Sequence, residues 1–105
     1  MKQTRFSAMV WELATAIPEG RVTTYGILAR RAGGGRQAAR SVASVLSKAP
    51  NKAAIPFHRI VYADGRVWMT PECEKKRRAL FRQEGIKLDK RGYIQNFEEV
   101  CYHFE

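Results

Sequence analysis

The residues of this 105-residue chain most suited to chemistry lie in Ile55-Pro56-Phe57-His58-Arg59-Ile60-Val61. One of only two histidines and an arginine are set into an otherwise apolar run. Burying a polar pair in a strand is costly unless it is partnered, so such a pair usually serves a site. The plainer reading is a core strand whose histidine finds a backbone carbonyl. The two cysteines, Cys73 and Cys101, form no CxxC pair and have no His-rich context. Free thiols, buried or half-buried, are therefore expected rather than a zinc site or a disulfide framework. No residue pattern asks for a cofactor or a metal.

Nineteen Lys and Arg against ten Asp and Glu give a net charge of +9. A small domain this basic favours nucleic acid as a partner, although a basic solvated face gives the same total. All nineteen cations lie at or before Arg91, while Glu98, Glu99 and Glu105 cluster in the tail. A binding surface is thus expected on the body. The length suits one small domain, 1–105. No apolar run is long enough to span a bilayer and no secretory h-region follows Met1, so no membrane partner and a cytoplasmic location are expected.

The elements that must position the central stretch read as mainly α with a small β-hairpin. Phe6, Met9, Val10, Leu13, Ala14 and Ile17 recur at helical spacing, predicting a helix over 5–16 that Pro18 and Gly20 end. A shorter helix is expected over 24–32, capped by Thr23 or Thr24. Gly33-Gly34-Gly35 breaks the chain, and a helix over 36–49 follows, burying Ala39, Val42, Leu46 and Ala49. Its other face carries Arg36, Arg40, Ser44 and Ser47. Helix, glycine turn and a second helix with a basic, small-residue face form a helix-turn-helix arrangement. Asp64-Gly65 predicts a hairpin pairing 60–62 with 66–68. Thr70-Pro71-Glu72 reads as the start of a helix ending at Glu84, with Gly85 as its stop. A ribbon of 87–88 with 93–94 and a short helix from Phe97 to Phe104 complete the chain.

Several marks fall in order: Phe6…Val10-Trp11, Ile17-Pro18…Gly20, Val22…Tyr25-Gly26, Leu28-Ala29, Ala38-Ala39-Arg40-Ser41-Val42, Ile55-Pro56-Phe57-His58-Arg59-Ile60-Val61 and Glu84-Gly85. Together, over about 5–86, they resemble the C-terminal, winged-helix-like DNA-binding domain of the O6-alkylguanine-DNA alkyltransferases. The resemblance begins at the start of the chain, so that family's separate N-terminal domain is not expected. Active members read Pro-Cys-His-Arg, and the cysteine takes the alkyl group. Here that position is Phe57, whose phenyl ring cannot serve as a nucleophile. His58 and Glu84 match the residues that activate the thiol. The chain is therefore similar to the alkyltransferase-like branch, which binds O6-alkylguanine without repairing it. Members of that branch usually carry tryptophan where Phe57 stands.

The resemblance implies double-stranded DNA containing O6-alkylguanine as partner, and handover to nucleotide excision repair proteins by a monomer. It casts Arg40 as the arginine entering the duplex and Tyr25 as the residue pressing on the 3′ phosphate while the nucleotide turns out. Arg36, Ala38, Ala39 and Ser44 complete the DNA-facing set, with the helix in the minor groove. The lesion pocket is expected from Tyr25, Pro56, Phe57, His58, Arg59, Val67, Trp68 and Met69, supported by Glu84. The family's asparagine after the recognition helix aligns with Ala49, and Val67-Trp68-Met69-Thr70-Pro71 replaces the usual glycine-rich stretch. Trp68 reads equally well as a packing residue. Two rivals stay open: an alkyltransferase with a relocated acceptor such as Cys73, and a sequence-reading helix-turn-helix regulator.

Overall fold

The computed structural model describes residues 5–34 and 38–104. Helix α1 spans Arg5–Thr15 and buries Val10 and Ala14, the centre of its apolar stripe. Helix α2 is Tyr25–Arg31, with the Thr24 side chain accepting a hydrogen bond from the Ile27 N–H at its start. Gly33 takes φ +86° and its N–H reaches the Arg30 carbonyl, while that of Gly34 reaches Ala29. This paired closure satisfies two carbonyls at the helix end and favours glycine at the left-handed position. At Gly34 the reason is space, since a Cβ there would come within 2.5 Å of the Ala38 Cβ.

Helix α3, Ala39–Ser47, packs against α1 and α2 to close the helix-turn-helix unit. Of the expected 36–49, residues 36 and 37 lie outside the described residues, and the helix stops at Ser47 rather than Ala49. Lys48 and Ala49 donate to carbonyls three residues back, so the last turn tightens into 3₁₀ geometry. Val42, Leu46 and Ala49 are buried as expected, whereas Ala39, in the first turn of the helix, is only half-buried. The Trp11 indole Nε1 donates to the Val45 carbonyl at 2.7 Å, satisfying the one polar atom of that ring and tying α1 to α3.

Two short strands join the halves of the molecule. Strand β1, Thr23–Thr24, pairs in parallel with β2, Ile60–Val61. Successive strand residues face opposite sides, and the two residues of β2 serve two cores. Ile60 joins a core of Val10, Leu28, Val42 and Leu46. Val61 joins a second core of Val22, Val67, Phe81, Ile86 and Ile94.

The β-hairpin is corrected by this pairing. Asp64-Gly65 does form a turn, with the Tyr62 N–H on the Arg66 carbonyl and the Asp64 side chain accepting from the Arg66 N–H. The ladder goes no further. Arg66 bridges to Tyr93 and Val67 donates to Gly92, because burying Val67 in the second core draws that segment toward the C-terminal ribbon. The ribbon itself is present as the Leu88–Ile94 bridge.

Helix α4, Glu74–Gln83, starts later than Thr70-Pro71 implied. The Thr70 carbonyl accepts from the Cys73 and Glu74 N–H groups, so a turn precedes the helix. Glu84 is the helix's C-cap residue. The tail forms only one helical turn, α5, Phe97–Val100. Cys101 and Tyr102 then run extended beside Val22, because exchange with that strand end satisfies backbone groups that a longer helix would leave there unpaired. No helix among the described residues is long and apolar enough to cross a membrane.

Candidate functional site

The Pro56-Phe57-His58-Arg59 stretch is a 3₁₀ turn, Phe57–Arg59, entering β2. The turn aims successive side chains in different directions. Phe57 borders an open cavity, and His58 and Arg59 meet Glu84. His58 Nε2 lies 2.5 Å from one carboxylate oxygen of Glu84. Arg59 donates to the same carboxylate through Nε and Nη2, the latter at 2.9 Å, and its Nη1 reaches the Ile17 carbonyl. The Gly20 N–H adds a bond of 3.0 Å.

Glu84 has only 5% of its side chain exposed. Burial alone would raise its carboxyl, but hydrogen bonds from Arg59, Gly20 and His58 override it and hold the group at about 2. An ionised carboxylate only accepts, so Nε2 of His58 carries the proton in this bond. This polar pair is therefore fully partnered, and no backbone carbonyl has to rescue the histidine.

In front of Phe57 lies an open cavity of about 760 Å³ bordered by Tyr25, Arg40, Phe57, Tyr62, Trp68 and Arg77. Ala39, Ala43, Leu46 and Ser47 bring α3 to its edge. Tyr25 and Tyr62 sit ring to ring at 5.6 Å, and guanidinium groups cover two rings, Arg66 over Tyr62 and Arg77 over Trp68. Burial and the neighbouring Tyr62 push the Tyr25 hydroxyl above its usual range, against the charge of Arg77, so it stays a neutral donor at physiological pH.

Of the expected pocket residues, Tyr25, Phe57 and Trp68 line this cavity. Pro56 and His58 border a second hollow, which shares Phe57 and Arg77 with the first and which Cys73 and Lys76 also line. Arg59 is committed to Glu84. Val67 and Met69 do not line the cavity: Val67 is buried in the second core and Met69 packs against it, near Gly92. The resemblance puts both at the pocket; here the Val67 N–H donates to the Gly92 carbonyl, which holds the segment against the second core. Of the DNA-facing set, Arg40 and Ser44 are exposed on α3 and Ala38 and Ala39 are half-buried at its start. Arg36 lies outside the described residues.

Sequence reading missed Tyr62, Ala43 and Arg77 as cavity residues. Arg77 was visible as one of a basic run, but nothing marked which member would turn inward. Both thiols are free. Hydrogen bonds from the Thr70 hydroxyl and N–H lower the Cys73 thiol, whereas burial raises that of Cys101.

A helix-turn-helix whose second helix borders an aromatic cavity, backed by a His–carboxylate–Arg network, defines a DNA-binding domain of the alkyltransferase type. Residues 5–86 match the family model described as 6-O-methylguanine DNA methyltransferase, DNA binding domain, and the chain belongs to that family. It is 42% identical over 94 residues to a DNA base-flipping protein of Escherichia coli, covering 89% of this chain and 71% of that one. Its fold matches S. pombe Atl1, solved with damaged DNA containing O6-carboxymethylguanine, with a TM-score of 0.75 and 25% identity over 97% of this chain and 98% of that chain. The Mycobacterium tuberculosis O6-methylguanine methyltransferase matches with a TM-score of 0.62 and 30% identity, over 79% of this chain and 50% of that chain.

Proposed function

We propose that this protein binds O6-alkylguanine in duplex DNA, extrudes the damaged nucleotide into the cavity before Phe57, and transfers no alkyl group. The observation that carries the reading is Phe57 itself. A phenyl ring stands between Pro56 and a histidine that keeps its carboxylate partner at 2.5 Å, so a thiol-activating frame surrounds a side chain that cannot be activated. The similarity to base-flipping proteins and to Atl1 supports the same reading.

In this account α3 enters the minor groove, where its small residues allow close approach. Arg40, exposed at the cavity edge, takes the place of the extruded base in the stack. Tyr25 donates its hydroxyl to the lesion's 3′ phosphate. Extrusion is favoured at the lesion because an alkyl group on O6 spoils the base pair and lowers the cost of unpairing. Acting as a monomer on the cell's own DNA, the protein marks the site for nucleotide excision repair. Titrating otherwise identical duplexes containing guanine or O6-methylguanine tests this; tighter binding of the lesion is expected, and equal affinities overturn it.

A further inference from the structure

Several arginines of this protein are spent inside it. Arg59 is bound to Glu84, Arg21 donates to the Val100 and Cys101 carbonyls, and Arg78 donates to Glu74 and to the carbonyls of Asp89 and Lys90. Arg66 is different. It is exposed, and among the described residues its guanidinium meets neither a carboxylate nor a carbonyl. Its contact is with the Tyr62 ring, whose centre lies 4.4 Å away.

The Asp64-Gly65 turn makes that contact. The Tyr62 N–H donates to the Arg66 carbonyl at 3.0 Å, which sets residues 62 and 66 opposite each other with their side chains on one face. The Asp64 carboxylate accepts from the Arg66 backbone N–H and stiffens the turn. Val67, buried in the second core, turns the side chain of its neighbour Arg66 the other way. Tyr62 also meets Tyr25, ring centre to ring centre at 5.6 Å, and both rings line the cavity. The three side chains thus form a series, from Tyr25 at the start of α2 to an arginine in solvent.

A ring contact restrains a guanidinium but cannot satisfy its five N–H donors. Donors held in place beside the cavity, without an acceptor in the molecule, suit an anion from outside, and their fork geometry suits phosphate. We infer that Arg66 grips a backbone phosphate of bound DNA at the cavity rim, and that Tyr62 is the positioning residue that holds it there. This rests on the DNA-binding reading above and adds a contact to it. Because the ring fixes the side chain before DNA arrives, less freedom is lost on binding. A phosphate contact reads neither sequence nor lesion, so it strengthens binding of damaged and undamaged duplexes alike.

The test titrates duplexes containing guanine or O6-methylguanine over a series of salt concentrations, with thermal melting as a folding control. The proteins are wild type, Arg66→Gln, Arg66→Lys and Arg82→Gln; Arg82 is exposed on α4 and does not border the cavity. Each phosphate contact contributes about 0.9 to the slope of log affinity against log salt. Arg66→Gln is expected to flatten that slope by about one and to weaken both duplexes about fivefold to tenfold near 0.1 M salt. Arg66→Lys and Arg82→Gln are expected to keep the slope. A wild-type slope in Arg66→Gln, or an equal flattening in Arg82→Gln, overturns the contact. For Tyr62, the loss caused by Arg66→Gln should shrink by about twofold or more in a Tyr62→Ala background and return in Tyr62→Phe, which keeps the ring. Losses that are additive overturn the positioning role. Equal affinities for the two duplexes, with the slope change present, overturn the lesion reading and leave the Arg66 contact standing.

Discussion

The two sides of the Phe57 turn differ in kind. Behind it, His58, Arg59, Gly20 and Glu84 form a closed polar network around a carboxylate that is almost wholly buried. In front of it, aromatic rings and two arginines border a cavity open to solvent. The network has the parts that would activate a thiol, yet here its side chains are held by one another and by the Ile17 carbonyl. What it secures is the shape of the turn, and with it the placement of Phe57. The cavity is where a ligand's identity can matter.

Breaking the network should therefore cost stability more than recognition. Glu84→Gln leaves the Arg59 charge uncompensated in a largely buried site, and a loss of about 3 kcal/mol is expected in chemical denaturation. Lesion selectivity should survive in the fraction that remains folded.

The same carboxylate gives the network a pH signature. Its folded value of about 2 lies below the ordinary 4.5, so its contribution is fully present above about pH 4.5 and is lost as pH falls toward 2. The difference amounts to about 3 kcal/mol. Denaturation midpoints measured from pH 6 to pH 2 should fall steeply in wild type and distinctly less in Glu84→Gln.

Breaking the cavity side should do the reverse. Arg40→Ala removes an exposed side chain, so melting should hardly move, while lesion affinity drops by about tenfold or more. A loss confined to the salt-dependent part of binding would reduce Arg40 to a phosphate contact. Tyr25→Phe, which removes only a hydroxyl, should weaken binding by a few-fold, near 1 kcal/mol.

The smallest expected effect is none at all. Cys73 has a lowered thiol beside the hollow that Phe57 and His58 share, so it is the natural candidate for a relocated acceptor. Mass spectrometry after incubation with methylated duplex should find no added methyl group on any residue. One methylated cysteine would restore the enzymatic rival.

How much was legible in the sequence divides along the same two halves. The α1–α3 unit was readable because Val10, Ala14, Leu28, Val42 and Leu46 repeat at helical spacing and the glycines mark the turn between helices. The partner of Ile60–Val61 was not, because two-residue parallel pairing with Thr23–Thr24 leaves no local pattern. The resemblance put Val67 and Met69 at the cavity, whereas pairing with the C-terminal ribbon puts them into or against the second core. The Arg59–Glu84 bond was equally invisible, since it joins a turn to a helix end by side chains alone. His58 and Arg59 stood out as a polar pair in an apolar run, whereas the part of Glu84 in the site came only through the family resemblance.

The central claim is that Phe57 fronts a lesion-binding cavity and accepts nothing. The most direct measurement is the equilibrium titration of matched duplexes differing only in guanine or O6-methylguanine, with the protein's mass recorded after each titration. The account predicts tighter binding of the lesion duplex and an unchanged protein mass. Equal affinities, or a protein heavier by one methyl group, would contradict it.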